Sequence, residues 1–275
     1  MALAALMACG PGTPQPEPAD TVNRLTPKEK AAGWILLFDG VSLDGWEDPA
    51  KETPPGDSWV VEDGWIKSVD HPKLREDLFT NRSFGDFEFE WQWKIAKKGN
   101  SGVKYRVQDR AVLIKGKTNP DAKRFEDIVD YELQHHTATR ASVQPGDKFE
   151  EYVIAFEYQM IDNQGHPDAK HGADRTTGAL YSMVAPSTDA SKPAGEVNTS
   201  KIVLRGNHVE HWLNGVKIVD ADLDSEPIRA GLAKRWTTSS PVYKLLTEQP
   251  KKVTPIGLQN HNNVAWFRAI KIRPL

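Results

Sequence analysis

The chain has 275 residues, a single cysteine and a formal net charge of -3, with 27% of its residues charged. Without an excess of positive charge or a basic run it lacks the electrostatic footprint of a nucleic-acid binder. One cysteine excludes a disulfide framework, a thiolate metal site and a cysteine nucleophile within the fold. The length suits one large domain of the all-β kind, and the nine tryptophans are expected mostly to fill a β core, leaving few to stack on sugars.

The first eight residues are apolar and end in a small side chain before Cys9, and residues 10–20 are rich in proline. Leu6-Met7-Ala8-Cys9 resembles the lipobox of a bacterial lipoprotein, although the basic stretch that normally precedes it is missing and the apolar stretch is short. The resemblance implies lipid attachment at Cys9, a stiff extended tether, and a place in the bacterial cell envelope, periplasmic or outer-membrane, with the membrane reached through the lipid alone. No other segment is long and apolar enough to span a bilayer. Thr26-Pro27-Lys28-Glu29 sets a capping residue, a proline at the first helical position and a glutamate three beyond the cap, so a short helix closes residues 1–32.

From there the pattern is one of short strands. Trp34-Ile35-Leu36-Leu37-Phe38 runs into an Asp39-Gly40 turn, and residues 59–66 read as a hairpin about Asp63-Gly64. Phe87, Phe89, Trp91, Trp93 and Ile95 alternate with polar residues. After a turn at Lys97-Lys98-Gly99-Asn100, Val103, Tyr105 and Val107 alternate with Lys104 and Arg106. A hairpin is expected, with one apolar face and one polar face carrying Lys104 and Arg106. Residues 108–150 read as an insertion in which Phe125, Ile128 and Val129 suit a helix, while residues 131–136 suit a strand equally well. Glu132, His135 and His136 have a spacing seen in metal sites, against the commoner reading as a polar loop.

Residues 152–162 organise the rest. A period of two puts Tyr152, Ile154, Phe156, Tyr158 and Met160 on one face and Glu157 and Gln159 on the other, which presents two polar side chains from a rigid element. A plain surface strand reads the same way. Asp162 breaks the alternation, so either the strand ends there or a bulge turns it toward Glu157 to make a carboxylate pair. The following loop carries His166, Asp168, His171 and Asp174, which are candidate ligands for a divalent metal or members of a polar surface loop. Residues 201–220 form a three-stranded meander turning at Gly206-Asn207 and Asn214-Gly215, and two further strands close the chain. Repeated short strands with turn signals and almost no helix predict an antiparallel β-sandwich.

No nucleophile elbow, dinucleotide fingerprint, phosphate loop or His-Glu-x-x-His occurs. Several blocks in order are nevertheless specific. They are Gly33-Trp34, Leu37-Phe38-Asp39-Gly40, Leu43-Asp44-Gly45-Trp46, Gly99-Asn100-Ser101-Gly102-Val103-Lys104-Tyr105-Arg106 and Glu157-Tyr158-Gln159-Met160-Ile161-Asp162-Asn163. His166-Pro167-Asp168-Ala169, Gly178-Ala179-Leu180-Tyr181, Gly195-Glu196-Val197-Asn198, residues 206–215, Leu258-Gln259-Asn260-His261 and Trp266-Phe267-Arg268 follow. Together they resemble the 3-keto-disaccharide hydrolase family, with departures at Asn260, where that family often has Asp, and at Ala269, where it often has Asn.

The resemblance covers residues 33–275 and implies a concanavalin A-like, glucanase-type jelly roll acting on 3-keto-glycosides or 3-keto-disaccharides by hydrolysis or 1,2-elimination. A ketone at C3 acidifies the hydrogen at C2, so the site needs a base, a cation for the enolate oxygen and an acid for the leaving oxygen. Glu157, His261 and Arg106 are the expected catalytic residues. Asn100, Lys104, Gln159, Asp162, His211 and Gln259 are the expected sugar ligands. No cofactor is expected, and a divalent metal is the one addition these residue types admit. Two rivals stand beside this reading. One is a laminarinase-type glycosidase with two carboxylates about 5 Å apart, and the other is a carbohydrate-binding module without turnover.

Overall fold

In the computed structural model, residues 22–47, 57–72 and 75–275 are described, so the lipobox with Cys9 and the tether lie outside the described residues. Helix α1 (Pro27–Ala31) carries the expected capping box, and its Glu29 reaches Lys271 at 2.5 Å, tying the helix to the domain.

Strict alternation sets the architecture. Phe87, Phe89, Trp91, Trp93 and Ile95 of β6 (Phe87–Ile95) are all buried, with half-buried polar residues between them. β6 lies within an eight-stranded antiparallel sheet, in the order β11 (Val216–Asp222), β10 (His208–Leu213), β9 (Asn198–Arg205), β6, β13 (Ala265–Pro274), β4 (Trp65–Ser68) and β3 (Trp59–Glu62), with β1 (Ile35–Leu36) paired along β13. A five-stranded antiparallel sheet faces it, in the order β2 (Trp46–Glu47), β5 (Leu78–Thr80), β12 (Gly257–Leu258), β7 (Asn100–Ile114) and β8 (Phe149–Ile161). The result is an antiparallel β-sandwich of the jelly-roll kind.

The core lies between the sheets. Trp91 meets Tyr158 edge-on, with ring centroids 5.0 Å apart, and Trp93 Nε1 donates to Ser200 Oγ at 2.8 Å. Six of the nine tryptophans are buried, as a β core requires. The turns at Asp63-Gly64 and Asn214-Gly215 both have two consecutive positive φ values, the geometry that matches the twist of a two-residue hairpin.

β6 and β7 do not form the expected hairpin. β6 pairs with β9 and β13, whereas β7 pairs with β8 and β12, so residues 96–99 carry the chain from one sheet to the other. The reason is burial. Each strand has one apolar row, and placing the strands in opposite sheets packs one row against the other.

Within residues 108–150, β7 continues to Ile114 and α2 (Phe125–His135) takes in most of the stretch that also suited a strand. Its Glu132 accepts hydrogen bonds from Thr137 and Ala138 N, while His135 stacks on Tyr131, so no metal site forms from Glu132, His135 and His136. Two helices that the strand pattern did not suggest, α3 (Glu226–Arg235) and α4 (Pro241–Thr247), pack with α2 beside β7 and β8. No described helix is long and apolar enough to cross a membrane.

Candidate active site

Glu157 and Gln159 of β8 line a cleft of about 320 Å³ on the side of the five-stranded sheet away from the core. Register decides their neighbours. Lys104 on β7 is the cross-strand partner of Glu157, and Gly102 that of Gln159. On the other edge of β8, Gly178 N donates to Gln159 O, Gln159 N to Ala179 O and Tyr181 N to Glu157 O, so residues 178–181 extend the sheet. Lys104, Glu157 and Tyr181 therefore stand in one row across three neighbouring backbones.

In the next row Gly102 leaves a gap that the Glu157 side chain fills. The carboxyl lies over the glycine, and its Oε2 accepts a hydrogen bond from Gln259 Nε2 at 3.2 Å. Gln259 is held in turn by its own N–H, which donates to Gly102 O at 2.9 Å. Lys104 Nζ is 2.6 Å from Asp77 Oδ2, with both side chains 9% exposed. Burial pushes the Glu157 carboxyl up to about 7, with Lys104 pulling it down and Asp77 adding to the rise.

His261 stands at the rim with its side chain still open to solvent. The crowding walls and the positive charges of Arg75, Lys104 and His166 hold its imidazole below the usual value, so it is neutral at neutral pH. Asn100 Oδ1 and Gln259 Oε1 are buried with no hydrogen-bond partner among the described residues. Buried acceptors are seldom left unpaired, and two such carbonyls in one cleft suit the hydroxyls of a sugar.

Sequence reasoning thus places Glu157, Gln159, Lys104, Asn100, Gln259 and His261 in one cleft. It fails for three others. Arg106 has φ 53 and begins a bulge in which three residues lie between Tyr105 and Asp109 where β8 has only Ala155. The period of two holds only as far as that bulge. The Arg106 guanidinium instead reaches Gly206 O at 2.6 Å and Lys252 O, with Asp86 at 3.6 Å. His211 is fully buried in the core, with Nε2 3.0 Å from Tyr105 Oη and Nδ1 2.9 Å from Gly178 O. Its strand belongs to the opposite sheet and turns that face inward. Asp162 follows the last residue of β8 and accepts from Lys98 N, Gln164 N and Gly165 N, so it ties a turn and forms no carboxylate pair with Glu157.

Tyr152 packs against the core as expected and also lines the cleft, with its ring against Phe125 and Trp236. Among His166, Asp168, His171 and Asp174 no three ligand atoms converge, and Asp168 is occupied by Arg175 at 2.8 Å and Tyr181 Oη at 3.0 Å. Asn260 is structural, since its amide donates to Ser58 O and Val69 O. Arg235, Tyr181 and Asp77 went unpredicted as site residues. Arg235 comes from the end of α3 and lies against the rings of Trp236, Tyr152 and Phe125, 2.9 Å from Glu126. An Arg-Trp pair at a helix end was its sole trace in the sequence.

Residues 33–273 match the 3-keto-alpha-glucoside-1,2-lyase-like domain. The chain is 30% identical over 266 residues to a 3-keto-disaccharide hydrolase of Bacteroides thetaiotaomicron, covering 89% of this chain and 79% of that protein. A crystal structure from Parabacteroides distasonis, assigned as a glycosyl hydrolase, superposes with a TM-score of 0.67 at 28% identity, over 92% of this chain and 99% of that one. A second from the same organism, with a TM-score of 0.55 at 22% identity over 88% and 99%, shares the fold. The chain belongs to the 3-keto-alpha-glucoside-1,2-lyase-like family and is a carbohydrate-active enzyme of the glycosidase type.

Proposed function

We propose that the protein cleaves 3-keto-glycosides by elimination across C1 and C2, with Glu157 as the base. The observation that carries this reading is a carboxyl raised to about 7 in a polar cleft, because a base titrating near the working pH combines strength with availability. Its carboxylate takes the C2 proton, and the C–H electron pair becomes an enolate with its charge on the C3 oxygen. Collapse of the enolate re-forms the C3 carbonyl, makes the C1–C2 double bond and expels the C1 oxygen. The proton then passes from Glu157 to that oxygen, and no oxidant is consumed. Addition of water to the unsaturated sugar gives the product of net hydrolysis.

Positive charge is needed beside the enolate. Lys104 and Arg235, which both favour the ionised form of Glu157, supply it in place of Arg106. Asn100 Oδ1 and Gln259 Oε1 accept from sugar hydroxyls, Gln159 adds an amide, and neutral His261 hydrogen-bonds the sugar at the rim. The lipobox adds a cell-envelope location to the proposal, tested by palmitate labelling of the wild type against Cys9→Ser.

The deciding assay measures aglycone release from a 3-keto-glucoside and from its unoxidised parent, with wild type and Glu157→Gln. Release from the keto sugar alone, lost in the variant, is the expected result. Release from the parent would replace this reading with ordinary glycoside hydrolysis, and binding without release would make the protein a carbohydrate-binding module.

A further inference from the structure

Beside the cleft that holds Glu157 lies a wider depression of about 650 Å³, and Tyr181, Ser182 and Arg235 belong to the walls of both. The shared wall is fixed from several sides. Tyr181 N donates to Glu157 O, Ser182 N to Asp174 O at 2.8 Å and Met183 N to Leu180 O at 2.9 Å. Helix α3 presses Gly231 so close that a Cβ there would lie 2.9 Å from Met183 Cα.

Within this wall Ser182 has φ 63, a left-handed backbone that is strained for a residue with a Cβ. Glycine would take the same turn without that strain. The turn itself therefore gives no reason for a side chain at this position. What serine adds is a hydroxyl, partly open to solvent and with no hydrogen-bond partner among the described residues. It stands where the two compartments meet. A glycoside whose sugar ring fills the inner cleft and whose leaving group extends into the outer depression must cross the wall at its glycosidic bond.

We infer that the Ser182 hydroxyl is a catalytic hydrogen-bond donor to the glycosidic oxygen, steadying the charge that develops there as the C1–O bond breaks. This rests on the elimination reading above. The hydroxyl keeps its proton throughout, and the proton delivered to the departing oxygen still comes from Glu157. A donor at this point matters most for a poor leaving group, on which more negative charge has to be stabilised.

The test compares Ser182→Ala and Ser182→Gly with wild type on two 3-keto-glucosides, one with an alkyl or sugar alcohol as leaving group and one with 4-nitrophenol. Both variants are expected to lose about 10- to 100-fold in kcat/KM on the poor leaving group and less than about threefold on nitrophenol. Ser182→Gly is also expected to melt at or above the wild-type temperature, which separates the hydroxyl from the turn. Full activity of Ser182→Gly on the alkyl substrate, or equal losses on both substrates, would overturn the assignment and leave the elimination reading intact. A wild type that releases neither leaving group would overturn both.

Discussion

Glu157 lies across Gly102: a Cβ on residue 102 would stand 2.6 Å from Glu157 Oε1 and 2.9 Å from its Cγ and Cδ. Gly102 does not have a positive φ, so alanine fits its backbone and the single casualty is the position of the carboxyl. Gly102→Ala is expected to lower kcat/KM on a 3-keto-glycoside on the order of 10²-fold, the usual consequence of moving a reacting group by about 1 Å. Its melting temperature should stay within a few degrees of wild type, because the group that must shift is the end of one flexible side chain. A normal rate would mean that Glu157 acts from some other position.

The pH dependence follows from the same carboxyl. If Glu157 is the base, kcat/KM rises with pH as the carboxylate forms and levels off above about 7. Lys104 favours the ionised form, so Lys104→Met should move the rise to higher pH. Asp77 opposes ionisation and also holds the Lys104 ammonium, so Asp77→Asn should move it lower. A profile that shifts in neither variant would remove Glu157 from the proton transfer.

Raising an acid also affects stability, with a definite sign. The folded protein holds the Glu157 proton more tightly than the unfolded chain, so this contribution is complete below about 4.5 and is lost as pH rises through about 7. Glu157→Gln removes the loss. Denaturant titrations should find the variant more stable than wild type at pH 8, on the order of 1–2 kcal/mol after allowing for the group's partial contact with water, and level with it near pH 4.

His211 has the opposite sign. Its Nδ1–H donates to Gly178 O and its Nε2 accepts from Tyr105, so the neutral ring is fully satisfied and burial lowers its pKa to about 4. Stability from this group is present above about 6.5 and is lost as pH falls toward 4, on the order of 3 kcal/mol in all. The double variant His211→Leu with Tyr105→Phe removes the titration without leaving a buried hydroxyl unpaired. Its unfolding free energy should fall less steeply between pH 6.5 and 4 than that of wild type.

Where one face of a strand is apolar, the sequence reveals that strand and the side it shows to solvent. Glu157, Gln159 and Lys104 were legible for that reason, since each sits between buried neighbours on a regular ladder. Arg106 was not, because a bulge one residue past Tyr105 cancels the alternation, and nothing in Tyr-Arg-Val-Gln announces it. His211 lies on the same face as the buried Val209 and Leu213, so the alternation of β10 itself sets it in the core and not among the sugar ligands. α3 and α4 do carry start signals, Ser225-Glu226-Pro227 and Ser240-Pro241, but α3 has no clear apolar stripe. Their contribution to the site, Arg235 beside Trp236, depends on tertiary packing alone.

Ala269 gives a test of the framework away from the cleft. It has φ 50 at the irregularity between Arg268 and Lys271 on β13, and its N–H donates to Asn23 Oδ1 at 2.8 Å. An alanine pays about 1 kcal/mol for this conformation, whereas asparagine tolerates it and glycine adopts it freely. Ala269→Asn should raise the melting temperature by about 2–4 °C. Ala269→Gly should gain less, because its unfolded chain is more flexible, and Ala269→Val should lose stability because a branched Cβ crowds the left-handed backbone. None of the three should change kcat/KM, since β13 belongs to the sheet opposite the cleft. A lower melting temperature for Ala269→Asn would show that backbone strain does not govern this position.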